Sequence, residues 1–313
     1  MAFGLLNRCV GLLLPFIVHT VLIYRFGALY LGMNSLLSSI FQVLNLAELM
    51  FGSAVVYSLY KPVAEGDTET VCAYLGTYRK IYRDMRRFNF IYMLLAGWAM
   101  ICLLCLYQPF VRLWVESSLM LGWPEVVVLC LYFYLLKAGD MRWIYHQGAG
   151  LWWKARYIVI AEILCNVVLN ILLAKYWGVL GIIVATLISL FFINFLGGAW
   201  ILFKEYFCND KLGEFFGDQA LYFGVTLVLA VMCVYACDGV IGLAAGFAGM
   251  GTEYGAISSV NGKLLALAGL FVRLVFCTLV SVVGYYLAYH RTMRYIEAKE
   301  WVRSRFWKIK EWG

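Results

Sequence analysis

Long apolar runs recur along the whole chain and predict about eight membrane-crossing helices. Each run is close to the roughly 20 residues that a helix needs to cross the hydrocarbon core of a bilayer. The runs lack the strict apolar–polar alternation of membrane barrel strands. The predicted spans are 9–31, 36–60, 88–108, 124–146, 156–176, 178–203, 220–242 and 263–289. We therefore expect an all-α, polytopic integral membrane helical bundle.

Three polar side chains interrupt the second predicted span. Gln42, Asn45 and Glu48 are spaced i, i+3, i+6, which places them on one face of a helix. An ionised carboxylate at the bilayer centre costs about 2.5–3.5 kcal/mol on insertion scales, and less when it faces other helices or water. The stripe predicts either the wall of a wet cavity or interhelical hydrogen bonds that only hold the bundle together. Both interpretations stay open for Asn45, whereas the charge of Glu48 favours a cavity.

The fifth predicted span repeats this pattern. Glu162, Asn166 and Asn170 are spaced i, i+4, i+8 and so share one helix face. Two helices with polar stripes indicate a shared hydrophilic interior, and the six stripe residues are the candidates for lining a substrate pathway.

Charged residues also cluster where the fourth and fifth predicted spans meet. The cluster comprises Asp140, Arg142, His146, Lys154 and Arg156. A cationic mouth would attract a phosphate-bearing substrate. For Lys154 and Arg156, ordinary basic flanking of membrane helices is the favoured alternative.

Three other polar residues within predicted spans receive no firm role. His19 is expected to be a packed polar residue rather than a ligand. Arg25 is expected to extend its charge to the outer interface. Arg273 has no partner that the sequence identifies.

Composition and charge agree with a membrane location. Hydrophobic residues make up 64% of the chain, charged residues 14%, and the mean hydropathy is +0.82. If the N-terminus is cytoplasmic, the predicted inner segments hold 20 of the 25 Lys and Arg residues and the outer segments hold 3. This bias predicts that both termini are cytoplasmic. The net charge of +7 is then a topology signal, and no nucleic-acid partner is expected.

Two basic amphipathic segments lie outside the predicted spans. They are 67–87 and the tail 290–313, which also carries Trp and Phe residues. Such helices commonly lie on the anionic inner leaflet, so membrane lipids are expected partners.

The chain shows no signature of an enzyme. It lacks a phosphate-binding Gly-rich loop, an H-E-x-x-H motif and a G-x-S-x-G motif. Three separated histidines make a histidine metal site unexpected. Cys102 and Cys105 have C-x-x-C spacing, but their apolar setting favours packing over redox or zinc chemistry. No cofactor and no metal are expected.

Three stretches resemble bacterial oligosaccharide flippases, the Wzx-like polysaccharide-export branch of the MATE-like superfamily. Residues 31–83 contain the phrases YLGMNSL, VLNLAEL and GSAVVYSLYKP, which resemble the family's second helix and first loop. Residues 106–136 and 148–189 look like the family's C-terminal lobe. An even number of family helices has no counterpart near residues 84–90, so the chain looks internally shortened.

This resemblance implies three parts. They are two helices and a basic loop of the N-terminal lobe (1–87), a six-helix C-terminal lobe (88–289) and a basic cytoplasmic tail (290–313). Two positions depart from the family pattern: His19 stands where members carry Arg, and a Gly is missing between Val115 and Glu116.

The function implied is transport of undecaprenyl-pyrophosphate-linked oligosaccharide across a bacterial plasma membrane for polysaccharide or lipopolysaccharide biosynthesis. Glu48, Glu162, Asn166 and Asn170 would line the pathway, while Arg142, Lys154 and Arg156 would receive the pyrophosphate. Glycosyltransferases and a polysaccharide polymerase are the implied partners. A titrating Glu48 or Glu162 would couple transport to protons.

Alternatives remain because the chain is short for the family. Self-association would supply a missing lobe to a flippase. A non-transporting membrane remnant or scaffold is the second hypothesis. A MATE-type cation or drug antiporter is the third, disfavoured because the matching phrases belong to the polysaccharide branch.

Overall fold

The computed structural model describes residues 71–114, 121–148, 151–207, 211–247 and 260–310. These residues are almost entirely helical and contain no strand, which confirms the all-α prediction for this part of the chain. The first two predicted spans lie outside the described residues. The predicted site residues Gln42, Asn45, Glu48, His19 and Arg25 lie outside them too.

Seven α-helices and one π-helical segment make up the described part. They are α1 Val71–Trp114, α2 Trp123–Gly148, α3 Trp152–Ser189, the π segment Leu190–Gly197, α4 Gly198–Glu205, α5 Leu212–Phe247, α6 Val260–Tyr289 and α7 Met293–Lys310.

Four of the described stretches are long and apolar enough to cross a membrane. They are Ile81–Leu113, Arg156–Glu205, Leu212–Cys237 and Ala266–Tyr289. Helix α2 follows the predicted fourth span, but Glu125, Lys137 and Asp140 interrupt its apolar character. The chain therefore has the helices of a membrane protein, and the count of eight spans stays a prediction.

The stretch from Arg156 to Glu205 folds back on itself at Gly178. Two side-chain hydrogen bonds cross from one arm to the other, from Asn166 to Ser189 and from Asn194 to Glu162. Gly178 has φ 58°, a backbone conformation that disfavours residues with a Cβ. A Cβ at Gly181 would overlap the carbonyl of Leu173, so the arms approach closely beside the turn. We call this unit, residues 152–205, the hairpin.

Helix α1 is the central element of the described part. It packs against α2, α5, α6 and α7. Met93, Ile101 and Val111 on α1 are fully buried. A Cβ at Gly97 would lie 2.6 Å from the Thr226 hydroxyl oxygen, so α5 approaches the α1 backbone closely there. The hairpin packs beside α2, which separates it from most of α1.

We expect Gly178→Ala to destabilise the hairpin because the added Cβ is strained at this positive φ. The free energy of unfolding in detergent should fall by about 1–2 kcal/mol. Thermal unfolding followed by circular dichroism measures the change. Gly217→Ala on α5 is the matched control, since a Cβ there meets no atom within 4 Å. An equal effect of both substitutions would contradict the strained turn.

Candidate functional site

A chain of polar side chains runs between α2 and the two arms of the hairpin. We call it the polar seam and define it by Arg142, Glu162, Asn166, Asn170, Ser189 and Asn194. Three of these residues were predicted to line a pathway and one to bind phosphate. The described structure joins them by hydrogen bonds into two groups of three, Arg142–Asn194–Glu162 and Asn170–Asn166–Ser189.

Asn194 bridges the two charged residues of the seam. The Arg142 Nη2 atom donates to the Asn194 Oδ1 atom, and the Asn194 Nδ2 atom donates 2.6 Å to Glu162 Oε2. A side-chain amide can accept and donate at the same time, so Asn194 satisfies both charges without bringing them into direct contact. Because Arg142 is only 2% exposed, this bridge replaces much of the water that its guanidinium lost.

The backbone near Asn194 leaves room for the Arg142 side chain. Asn194 lies in the π segment, and π turns inside helices often occur at functional sites. Gly198 is the first residue after the π segment, and a Cβ there would overlap the Arg142 guanidinium. The His146 Nε2 atom lies 2.8 Å from the Gly198 carbonyl oxygen, so α2 holds this backbone at a second point.

The remainder of the seam comprises Asn166 and Asn170 on the first arm of the hairpin and Ser189 on the second. Asn166 Nδ2 donates to Ser189 Oγ at 3.0 Å, and Asn170 Nδ2 donates to Asn166 Oδ1 at 2.6 Å. Ser189 Oγ in turn donates to the Thr186 carbonyl oxygen. From Glu162 to Asn170 the helix rises about 12 Å, so the seam crosses a large part of an apolar layer.

Some buried polar atoms of this region have no hydrogen-bond partner among the described residues. They are Arg142 Nε, His146 Nδ1 and Asn170 Oδ1. A buried polar atom left without a partner costs about 1–3 kcal/mol. Water or a ligand hydroxyl at these three points would remove that cost.

Other predicted site residues lie away from the seam. Asp140 accepts hydrogen bonds from Tyr92 OH at 2.9 Å and from Lys137 Nζ at 3.1 Å, so it faces α1. Arg156 donates to Tyr157 OH at 2.7 Å, and its guanidinium lies over the Tyr157 ring. Lys154 lies on α3, but the structure does not describe its side chain.

Arg273 has a backbone partner that sequence reasoning did not find. Its Nη1 atom donates to the Cys105 carbonyl oxygen at 3.3 Å. Pro109 lies four residues after Cys105 within α1 and has no N–H, so the helix itself cannot satisfy this carbonyl. Arg273 therefore repairs a hydrogen bond that Pro109 removes.

Sequence reasoning also missed Asn194 and Ser189. Asn194 is a lone amide in the apolar run LFFINFLGG, residues 190–198. A lone polar residue of this kind within a membrane span is itself a signal, because it requires a partner there. Neither residue belongs to a periodic stripe, which was the pattern used to select candidates.

A second polar site lies where α1, α5 and α7 meet. A cavity of about 780 Å³ is lined there by basic residues, which we call the basic pocket; they are Arg83, Arg86, Arg87, Lys211 and Arg294. Glu214 and Glu297 also line it, so cations exceed carboxylates in its wall. Four of the five cations already pair with carboxylates, so an anionic group would compete with these ion pairs.

A buried carboxylate fixes two of these cations. Asp218 accepts from Arg86 at 2.6 Å and also pairs with Arg294, while its own side chain is 6% exposed. Phe88 and Trp301 pack edge to face with ring centroids 5.0 Å apart, which further attaches α7 to α1. The tail helix is thus held to the bundle by packing and by ion pairs.

Comparisons with known proteins identify no relative. No protein-family model matches the chain, no curated protein matches it, and no solved structure matches it. The resemblance of residues 31–83, 106–136 and 148–189 to oligosaccharide flippases therefore stays a prediction.

We expect Asn194→Leu to destabilise the protein because it removes the hydrogen-bond partner that the buried Arg142 and the part-buried Glu162 share. The loss should be about 2–4 kcal/mol in the free energy of unfolding in detergent. Phe192→Leu is the matched control in the same segment, since Phe192 is 60% exposed and makes no bond to the seam. Equal stability of the two variants would contradict the bridging role.

Proposed function

We propose that this chain is a flippase subunit that moves undecaprenyl-pyrophosphate-linked oligosaccharide from the inner to the outer leaflet of a bacterial plasma membrane. The observation that carries the proposal is the bridge from Arg142 through Asn194 to Glu162 inside an apolar helical layer. Charged groups in such a layer are costly and usually mark a transport path.

The polar seam supplies what a carbohydrate loses on leaving water. Sugar hydroxyls cannot cross hydrocarbon without replacement hydrogen bonds. Asn166, Asn170 and Ser189 present donors and acceptors at successive heights along the hairpin. In the proposed cycle, hydroxyls of the substrate exchange with these internal bonds while the lipid tail stays in the bilayer.

The basic pocket supports recognition of the pyrophosphate. Arginine guanidinium groups pair with phosphate oxygens through parallel hydrogen bonds. Arg83 lines the pocket beside the Asp218 ion pairs, as does Arg87, which pairs with Asp84 at 3.3 Å. The cavity volume of about 780 Å³ exceeds that of a pyrophosphate group. All five basic residues belong to segments that the charge bias predicts to be cytoplasmic, where the substrate is made. We assign phosphate recognition to this pocket and leave Arg142 in the seam.

Alternating access needs two lobes that move against each other. We propose that a second copy of the chain supplies the missing lobe. The outer face of α3 carries Leu164, Ile171 and Leu172, each more than half exposed, and a second helical lobe or lipid would cover them.

One observation favours a second candidate, a non-transporting membrane scaffold. Each of the six seam residues already has at least one hydrogen-bond partner within the described seam. Such a network would stabilise a static bundle without any substrate.

Complementation of a flippase-null strain separates the two candidates, and Glu162→Gln tests the role of the bridge in transport. The amide keeps the shape of Glu162 but removes the charge that Asn194 bridges to Arg142. We expect at least a tenfold loss of surface polysaccharide when the variant complements a flippase-null strain, with membrane insertion unchanged. The tenfold loss corresponds to about 1.4 kcal/mol on the rate-limiting step.

Glu125→Gln is the matched control because Glu125 lies in the first turn of α2, away from the seam. It should complement as well as the wild-type chain. Absence of rescue by the wild-type chain, despite correct insertion, would defeat the flippase proposal and leave the scaffold.

A further inference from the structure

Three cysteines from three different helices meet in the interior of the bundle. Cys105 of α1, Cys237 of α5 and Cys277 of α6 are all buried. Their sulfur atoms all lie within 4.8 Å of one another, and those of Cys237 and Cys277 are 3.7 Å apart. We call this group the thiol triad. Three sulfurs at these separations are within reach of a single metal ion.

The geometry of the triad points to a metal ion. A metal at about 2.3 Å from each of three sulfurs, in their plane, sets neighbouring sulfurs about 4 Å apart. The distances within the triad need little adjustment to reach this value. We propose that the thiol triad binds one monovalent copper ion through the sulfurs of Cys105, Cys237 and Cys277.

Ligand type and number favour monovalent copper over other metals. Thiolate ligands select soft ions such as Cu(I), Zn²⁺ and iron–sulfur clusters. Structural zinc and cubane clusters each use four protein ligands. Among the described residues, only three ligand side chains lie within 4.8 Å of one another, and none is a histidine or a carboxylate; Cys233 hydrogen-bonds to Cys277 but lies outside this group. Unlike structural zinc and cubane clusters, Cu(I) forms stable complexes with three sulfur ligands.

Access and charge also fit an ion. A cavity of about 320 Å³ borders the triad and is lined by Cys105, Cys237, Gln108, Arg112 and Arg273. Three thiolates around Cu(I) carry a net charge of about −2, and the two arginines offset it. The Arg273 guanidinium is already held at the Cys105 carbonyl oxygen, next to the triad. The Gln108 Oε1 atom has no hydrogen-bond partner in the described part, so the cavity wall can hold water.

Binding requires thiolates, so each coordinating thiol releases its proton as the copper–sulfur bond forms. The ion stays Cu(I) and no sulfur is oxidised. The cavity gives the protons and the ion a route to water.

The test uses the full chain, purified in detergent without oxygen and with its thiols reduced. Cu(I) is supplied as its acetonitrile complex and competed with bicinchoninate, and copper X-ray absorption counts the sulfur neighbours. We expect one tightly held equivalent with three sulfurs. Substitution of residues that only support metal ligands lowers metal affinity by about 10–100-fold. Loss of a ligand itself should cost more, so Cys105→Ala, Cys237→Ala or Cys277→Ala should weaken binding by about 100-fold or more.

Cys130→Ala is the matched control, because Cys130 is fully buried on α2 and outside the triad. A second readout needs no variant: Cu(I) should slow maleimide labelling of the triad cysteines in the wild-type chain, but not of Cys165, mapped by mass spectrometry of peptides. Tight binding that survives all three triad substitutions would overturn the proposal. So would the absence of a tight equivalent in the reduced wild-type chain, or copper that leaves triad labelling unchanged.

Discussion

Two opposite charges in an apolar helical layer need hydrogen-bond partners that replace water. The side-chain amide of Asn194 is such a partner for both charges. Arg142 and Glu162 lie on different helices, and Asn194 accepts from one and donates to the other. An isolated buried ion costs several kcal/mol, which a bundle of this size cannot absorb without such compensation. The bridge joins α2 to both arms of the hairpin, because Arg142 lies on α2, Glu162 on the first arm and Asn194 on the second.

Several local features exist to make the bridge possible. Gly178 turns the hairpin back so that its arms face each other. The π segment carries Asn194, and Gly198 leaves room for the Arg142 guanidinium. The polar groups that hold the arms together are also those that we propose a carbohydrate would use, so under this proposal stability and transport would compete for one set of hydrogen bonds. In the proposed transport cycle, a substrate hydroxyl would replace an internal partner and so would loosen the hairpin while it binds.

Sequence periodicity predicted some of this arrangement and could not predict the rest. The shared face of Glu162, Asn166 and Asn170 follows from the 3.6-residue repeat, and the structure confirms it. Asn194 was missed because a single amide has no period. The thiol triad was missed because its members are far apart in sequence and only helix packing brings them together. The sequence could have shown that Pro109 frees the carbonyl of Cys105, but only helix packing shows that Arg273 reaches it.

A double-mutant cycle on Arg142 and Glu162 tests the bridge most directly. Arg142→Met and Glu162→Met would be made singly and together, and the free energy of unfolding of each would be measured in the same lipid–detergent mixture. If Asn194 couples the two charges, the double variant is less destabilised than the sum of the singles, by about 1–3 kcal/mol. Effects that add to within about 0.5 kcal/mol would mean that the charges do not sense each other, and would contradict the account.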